Sequence, residues 1–377
     1  MAGIYVHIPF CRQACHYCDF HFSVSLKGQE TFWRALDREL EMRCRFFGEA
    51  KPRTLYLGGG TPSLVSVSDL ERLLDGIRAA FPGCALEEIT LEANPEDVSP
   101  ERVRQWMEMG INRVSLGVQS LLPEFLSSMN RSHNAAQSLH ALDHLFGKGM
   151  ENISIDLIYH HPGLTPEGLE EQVLRLMQWP LVHVSAYQLT VEPGTFLGRE
   201  TQSGRFLPSP DEESWAQHRA LCASLARFGI LPYETSNFSK PGWESRHNSS
   251  YWFGAPYLGL GPSAHSFDGA ATRMWNPRST GAWAQALSKG TLPLQAETLS
   301  MYDRHNEYLM TRLRLTKGFT WADYAGQFGG EAMGRLRHAW ASWHQKGCIA
   351  LTEEGACLTP EGRLWADGIA SDGFWLA

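Results

Sequence analysis

From the N-terminus to about position 235, short apolar runs alternate with longer stretches in which apolar residues recur every three or four positions. The short runs predict strands at 4–8, 54–57, 89–92, 113–118, 153–158 and 184–190. The longer stretches predict helices at 30–47, 68–81, 100–109, 135–146, 166–177 and 212–228; in the first, Phe32, Leu36 and Leu40 stand four apart on one face. Six strand–helix units in succession predict an α/β fold with a parallel sheet, closed as a partial (βα)6 barrel, and 231–234 is a candidate seventh strand. The functional face of such a barrel lies at the C-terminal ends of its strands. Polar residues gather there: strand one runs into a cysteine-rich loop, strand two into Gly58-Gly59-Gly60-Thr61-Pro62, strand three ends on Glu92, strand four on Gln119, and strand five carries Asp156. A carboxylate or amide in an apolar strand costs desolvation energy with no return unless it is used, so these three are candidate site lining.

Beyond the alternating region the pattern changes. Residues 236–297 are rich in Gly, Pro, Ser and aromatics and read as loop and short helix. Helices at 304–315 and 330–345, a hairpin at 348–358 and a final helix near Pro360 then predict a small winged-helix-like α+β domain. The expected division is a barrel over 1–235, a connecting segment over 236–299 and a C-terminal domain over 300–377. Winged-helix modules often bind DNA, but 300–377 carries eight Lys plus Arg against nine Asp plus Glu, which makes it a packing domain. The whole chain has a formal charge of -8 and no run of basic residues, so no nucleic-acid partner is expected. With 43% hydrophobic and 20% charged residues the chain is an ordinary globular protein. No secretory signal opens it and nothing approaches roughly 18 consecutive apolar residues, so the expected location is cytoplasmic, with at most peripheral membrane association.

Of eight cysteines, Cys11, Cys15 and Cys18 crowd into one loop with C-x3-C-x2-C spacing; Cys44, Cys84, Cys222, Cys348 and Cys357 are scattered and read as structural. In a reducing compartment such a cluster marks a metal site rather than a disulfide framework. Two sites fit the residues alone. Three thiolates can each hold one iron of a cubane cluster, or they can hold zinc with His7, His16 or His21 as fourth ligand. The three glycines after strand two allow a ligand to approach the backbone closely.

The stretch Tyr5-Val6-His7-Ile8-Pro9-Phe10-Cys11 and the loop Tyr17-Cys18-Asp19-Phe20 resemble radical S-adenosylmethionine (SAM) proteins, in which an aromatic precedes the third cysteine as Tyr17 does. The resemblance implies a [4Fe–4S] cluster on Cys11, Cys15 and Cys18, with SAM chelated to the open iron. The reduced cluster of such proteins passes an electron to the sulfonium and yields a 5′-deoxyadenosyl radical, while the protein supplies placement and exclusion of water. Further stretches, Leu57 to Ser63, Glu92-Ala93-Asn94-Pro95, Arg113 to Ser120, Asn130-Arg131 and Ile155-Asp156-Leu157-Ile158-Tyr159, resemble the oxygen-independent coproporphyrinogen III oxidases and their haem-chaperone relatives. By this resemblance Tyr5, Tyr17, Gly59, Gly60, Thr61, Glu92, Gln119, Arg131 and Asp156 contact SAM. The chemistry is sensible: carboxylates accept from ribose hydroxyls or an ammonium, and an arginine pairs with a carboxylate.

Two departures separate the chain from the oxidases that resemble it. They carry a fourth cysteine where this sequence has Phe20, and an N-terminal extension where only four residues precede Tyr5. A third pointer, His247-Asn248-Ser249-Ser250-Tyr251-Trp252, resembles the H-N-x-x-Y-W motif associated with haem in the chaperone branch. It implies a haem role for His247, Asn248, Tyr251 and Trp252, with His265 as a competing ligand. On a helix His247 and Tyr251 would share a face, as would Asn248 and Trp252. Residues alone favour a structural histidine in an aromatic turn, and it is the resemblance that points to haem. The expected function is a haem chaperone with haem as cargo, an electron donor, and a haem-accepting apoprotein of respiratory type as partners. The rivals are an oxidative decarboxylase and a zinc-stabilised structural protein.

Overall fold

The computed structural model describes residues 1–376; residue 377, the last of the expected C-terminal domain, lies outside them. All six expected strands form: β1 (Ala2–Ile8), β2 (Pro52–Gly59), β3 (Glu88–Ala93), β4 (Arg113–Gln119), β5 (Ile153–Tyr159) and β6 (His183–Gln188). They pair in parallel and in chain order. The expected helices follow them, at Gln29–Arg43, Val67–Ala80, Pro100–Glu108, Ala135–Gly147, Pro166–Leu176 and Asp211–Ala226.

Strand alternation explains why polar residues interrupt these apolar runs. Ile4, Val6 and Ile8, Leu55 and Leu57, Ile89 and Leu91, and Val114 and Leu116 face the helices and form the main core with Phe32, Leu36, Leu73 and Trp106. The residues between them point the other way. Tyr5, His7, Tyr56, Glu92, Ser115 and Asp156 line a cavity inside the barrel. A sheet whose inner face is a site rather than a second core keeps polar side chains there.

Two expectations are corrected. The candidate seventh strand at 231–234 shortens to β7 (Leu231–Pro232), which pairs antiparallel with β8 (Asn237–Ser239) at the β6 edge. The stretch 236–297 is more than loop and short helix: β9 (Tyr257–Leu260) adds to the other edge parallel to β1, and β10 (His265–Phe267), β11 (Thr272–Trp275) and β12 (Gln295–Thr298) follow antiparallel. The sheet therefore has twelve strands, in the order β12-β11-β10-β9-β1-β2-β3-β4-β5-β6-β8-β7. Strands of three or four residues have too little pattern to announce themselves; their neighbours decide them. Here the neighbour is a buried ion pair on the first helix. Arg43 donates to the Gly259 carbonyl at 2.8 Å and to Ser266 Oγ at 2.9 Å, while Glu39 accepts from Gly261 N, Asn276 Nδ2 and Trp283 Nε1 at 2.8, 2.6 and 3.1 Å.

The C-terminal part has its own core, with Leu309, Tyr324, Leu336, Trp340 and Ile369. Helices Met301–Arg314, Trp321–Phe328 and Gly330–Ala339 pack on a three-stranded antiparallel sheet of β13 (Phe319–Thr320), β15 (Gly355–Leu358) and β14 (Ile349–Leu351), in that order. The expected helix over 330–345 breaks at Trp340, resuming at Ala341–Gln345. Polar and cation–π contacts join the two parts. Glu307 takes both Arg273 nitrogens at 2.8 and 2.7 Å, Arg312 lies 4.8 Å above Phe253, and Arg314 lies 5.4 Å above Trp252. Among the described residues no helix is long and apolar enough to cross a membrane.

Candidate functional site

The register of β1 on β2 sets Ile8 beside Gly59, so the cysteine loop and the glycine stretch leave the barrel together. Gly60 N donates to the Ile8 carbonyl at 2.8 Å and Thr61 N to that of Phe10 at 2.7 Å. A Cβ on Gly60 would lie 2.7 Å from the Phe10 carbonyl, and one on Gly59, at φ +110°, would lie 2.6 Å from His7 Nδ1. Both positions therefore exclude side chains. The far side of the loop is fastened by His16 N to the Met129 carbonyl at 3.1 Å and by Asn130 Nδ2 to the Ala14 carbonyl at 2.7 Å.

Cys11, Cys15 and Cys18 line one cavity of about 1720 Å³ at the C-terminal mouth of the barrel. Among the described residues, no three His, Cys, Asp or Glu side chains converge on a single ion. Three thiolates on one loop can each hold a different iron of a cubane. The histidines considered for zinc are engaged elsewhere: His7 with Tyr5 Oη and the His21 carbonyl, His16 with the Ser128 carbonyl, His21 with Thr280 Oγ1. Cationic and hydroxyl donors face the sulfurs instead. Arg131 Nη1 donates to Cys15 Sγ at 3.3 Å and Thr61 Oγ1 to Cys11 Sγ at 3.5 Å. Arg131 is fixed by Asn94 Oδ1 at 2.8 Å and by Tyr17 Oη at 3.3 Å, and its buried Nε has no partner. A buried guanidinium edge with an unused donor, next to thiols, is what an anionic cluster and an amino-acid carboxylate would complete.

All nine residues expected around SAM, from Tyr5 to Asp156, line this same cavity. Two half-buried carboxylates form its floor. Glu92 accepts from Tyr56 Oη at 2.9 Å and from Gly59 N at 3.1 Å; burial, then the neighbouring charge of Asp156, push its pKa up to about 7. Asp156 accepts from Ser115 Oγ at 3.0 Å, and burial raises its pKa to about 6 against that bond and the nearby Arg113. Gln119 takes a left-handed backbone at φ +63°, uncommon outside glycine and suited to a residue turned into a site at a strand end. The residues prompt no objection to SAM: a backbone cradle, a carboxylate floor able to meet cationic groups, and a guanidinium at the cluster end.

The H-N-x-x-Y-W segment is a helix, Arg246–Trp252, but it lies inside the barrel. Buried Glu88 holds its N-terminus, accepting from Arg246 N and His247 N, each at 2.9 Å. Asn248, Tyr251 and Trp252 line the cavity; His247 does not. Its ring is 1% exposed, with Nδ1 2.8 Å from Thr54 Oγ1 and Nε2 2.7 Å from Tyr251 Oη. Burial, then Arg113, lower its pKa to about 3. Both imidazole nitrogens of His247 are thus bonded within the fold, and ligation of haem iron by this residue would require one of those bonds to be exchanged. His265, by contrast, is exposed and lines the cavity. Sequence reasoning missed Tyr56, Ser115, Gly117 and Asn94, which also line it, and the wall contributed by the C-terminal helix through Tyr308, Arg312 and Arg314. Tyr56 between Leu55 and Leu57, and Ser115 between Val114 and Leu116, were visible as inward positions of alternating strands.

A parallel barrel with three cysteines in its first loop and a glycine cradle at its second strand defines a radical SAM protein, and the Radical SAM superfamily model matches residues 5–176. The HemN C-terminal domain matches residues 299–365. More narrowly, the chain belongs to the haem chaperone HemW family. It is 35% identical to heme chaperone HemW of Mycobacterium tuberculosis over 373 residues, covering 97% of this chain and 93% of that one. Identity to heme chaperone HemW of Bacillus subtilis is 32% over 367 residues, with 97% of each covered. For the protein of that name in Escherichia coli it is 34%, covering 83% of this chain and 82% of the relative. The fold is that of the coproporphyrinogen III oxidase HemN of Escherichia coli, with a TM-score of 0.84 and 23% identity over 99% of this chain and 90% of that one.

Proposed function

We propose that this chain is a haem chaperone: it carries haem together with a SAM-liganded [4Fe–4S] cluster and delivers the haem to an acceptor protein in the cytoplasm or at the membrane surface, a respiratory apoprotein being the candidate acceptor. The carrying observation is the cavity, which joins the cysteine loop and carboxylate floor to the aromatic helix Arg246–Trp252 and the C-terminal domain. Cys11, Cys15 and Cys18 would hold the cluster; Tyr5, Tyr17, Gly59, Gly60, Thr61, Glu92, Gln119, Arg131 and Asp156 would surround SAM. When bound, the cluster supplies low-potential electron transfer, fed by a separate electron donor. The chain's own part is to orient and exclude water. Arg131 holds the sulfur of Cys15, and Glu92 fixes the Gly59 backbone.

The rival is oxidative decarboxylation of coproporphyrinogen. Phe20, where the oxidases have a further cysteine, is 72% exposed and brings no redox or acid–base group to the loop. Anaerobic reconstitution, followed by separate haem and coproporphyrinogen assays, tests the choice. The expected result is about four irons per chain, saturable haem uptake and no protoporphyrinogen above a no-protein control. Cys15→Ala should lose the iron. Porphyrinogen turnover by the intact protein, or full iron in Cys15→Ala, would overturn the reading.

A further inference from the structure

The cavity is larger than SAM needs. At about 1720 Å³ it exceeds the roughly 300–1,000 Å³ of a pocket for one ligand, and it extends from the cysteine loop along β10 and β11 to helix Met301–Arg314. Three histidines line it: His7, His21 and His265. His7 has both ring nitrogens hydrogen-bonded and His21 has Nε2 on Thr280. Among the described residues, His265 alone of the three has neither nitrogen engaged. Its ring is nonetheless held, stacked on Trp275 with centroids 5.9 Å apart and planes 20° apart, and Trp275 is fixed by Nε1 donating to Gln295 Oε1 at 2.7 Å. A ring braced on one face with both nitrogens free can take a metal on one of them without first breaking a bond. Partial desolvation by the cavity wall, then the charges of Arg273 and Arg278, lower its pKa, which favours the neutral imidazole.

The cavity offers anion partners, one of which, Arg278, also borders the cysteine loop beside Cys18 and Asp19. Arg278 and Arg304 line the cavity, are exposed, and have no carboxylate partner among the described residues, whereas Arg273 is already taken by Glu307. Phe253, 60% exposed, and Phe267 on β10 supply flat apolar surface. We propose that haem sits in the part of the cavity along β10 and β11, with His265 as its axial ligand and Arg278 and Arg304 paired to its propionates. The assignment rests on the haem-carrier reading and makes one cavity serve both cluster and cargo. An imidazole, two free guanidiniums and an aromatic wall are together the recognition set of a metalloporphyrin carrying two carboxylates.

The test is anaerobic titration of the cluster-loaded protein with haem and with haem dimethyl ester, read by the Soret band and by resonance Raman axial-ligand modes. Wild-type protein is expected to bind with an imidazole-ligated spectrum. His265→Gly should lose that signature and bind at least tenfold more weakly, with unchanged iron content and melting temperature, and added imidazole should restore the spectrum. The double variant Arg278→Gln/Arg304→Gln should keep the spectrum and lose affinity for haem while binding the dimethyl ester as wild type does. A His265→Gly protein with wild-type spectrum and affinity would overturn the assignment while leaving the carrier reading intact. A wild-type protein that takes up no haem would overturn both. If His265→Gly melts early, His265→Gln with the same loss of ligand modes would still sustain the assignment, and retention of those modes would end it.

Discussion

Glu92 is ionised or neutral depending on what lies above it. Burial and the nearby carboxylate of Asp156 disfavour its charge, Tyr56 and the Gly59 N–H favour it, and Arg113 helps from below, leaving a pKa of about 7 against an ordinary 4.5. A raised carboxylate pKa means that the ligand-free fold holds the proton more tightly than the unfolded chain. The pair's contribution to stability is therefore largest below pH 4.5 and is lost as pH rises through about 7. Binding of cationic SAM runs the other way, because it wants the carboxylate charged. SAM affinity should rise about tenfold from pH 6 to pH 8, as the ionised fraction grows, and Glu92→Gln should flatten that slope. Equilibrium dialysis of the reconstituted protein at both pH values checks it; an equal slope in the variant would remove Glu92 from the site. At this scale much was legible. The cysteine spacing, the glycines and the carboxylates at strand ends each carry their own chemical oddity. Tyr56 and Ser115 were not singled out, because one polar residue between two apolar ones is also how an ordinary half-buried strand reads.

The helix Arg246–Trp252 shows where local pattern stops. Its four-residue spacing correctly put His247 and Tyr251 on one face, and they do meet, at 2.7 Å. Which way that face points was set by Glu88 and Thr54, far off in sequence on β3 and β2, which draw the N-terminus and the imidazole into the barrel. The short strands β9 and β10 went unrecognised for the same reason: Glu39 and Arg43, which hold Gly259, Gly261 and Ser266, lie on the first helix. His247 is thus expected to act on stability. His247→Gln should cost about 1–3 kcal/mol by leaving buried polar partners poorly satisfied, lowering the melting temperature with cluster iron and the haem spectrum unchanged. Thermal melting alongside haem titration checks this. Normal melting with a lost haem spectrum would return His247 to the site.

At the scale of the molecule, the alternation of strand and helix made the barrel readable, since six units of one period leave few other topologies. The joint between barrel and C-terminal domain was not readable, because it is made of single long-range contacts such as Arg273 with Glu307 and Arg314 over Trp252. That joint closes one side of the cavity, which gives the C-terminal domain a part in forming it. The central claim is that the cavity holds haem in order to give it up. The most direct measurement loads the cluster-bearing protein with haem, mixes it with haem-depleted membranes containing respiratory apoproteins, and follows haem into those proteins. Transfer faster than from haem on serum albumin, and dependent on an intact cluster as judged by Cys15→Ala, is the expected result; haem that stays on the chain, or moves no faster than from albumin, would contradict it.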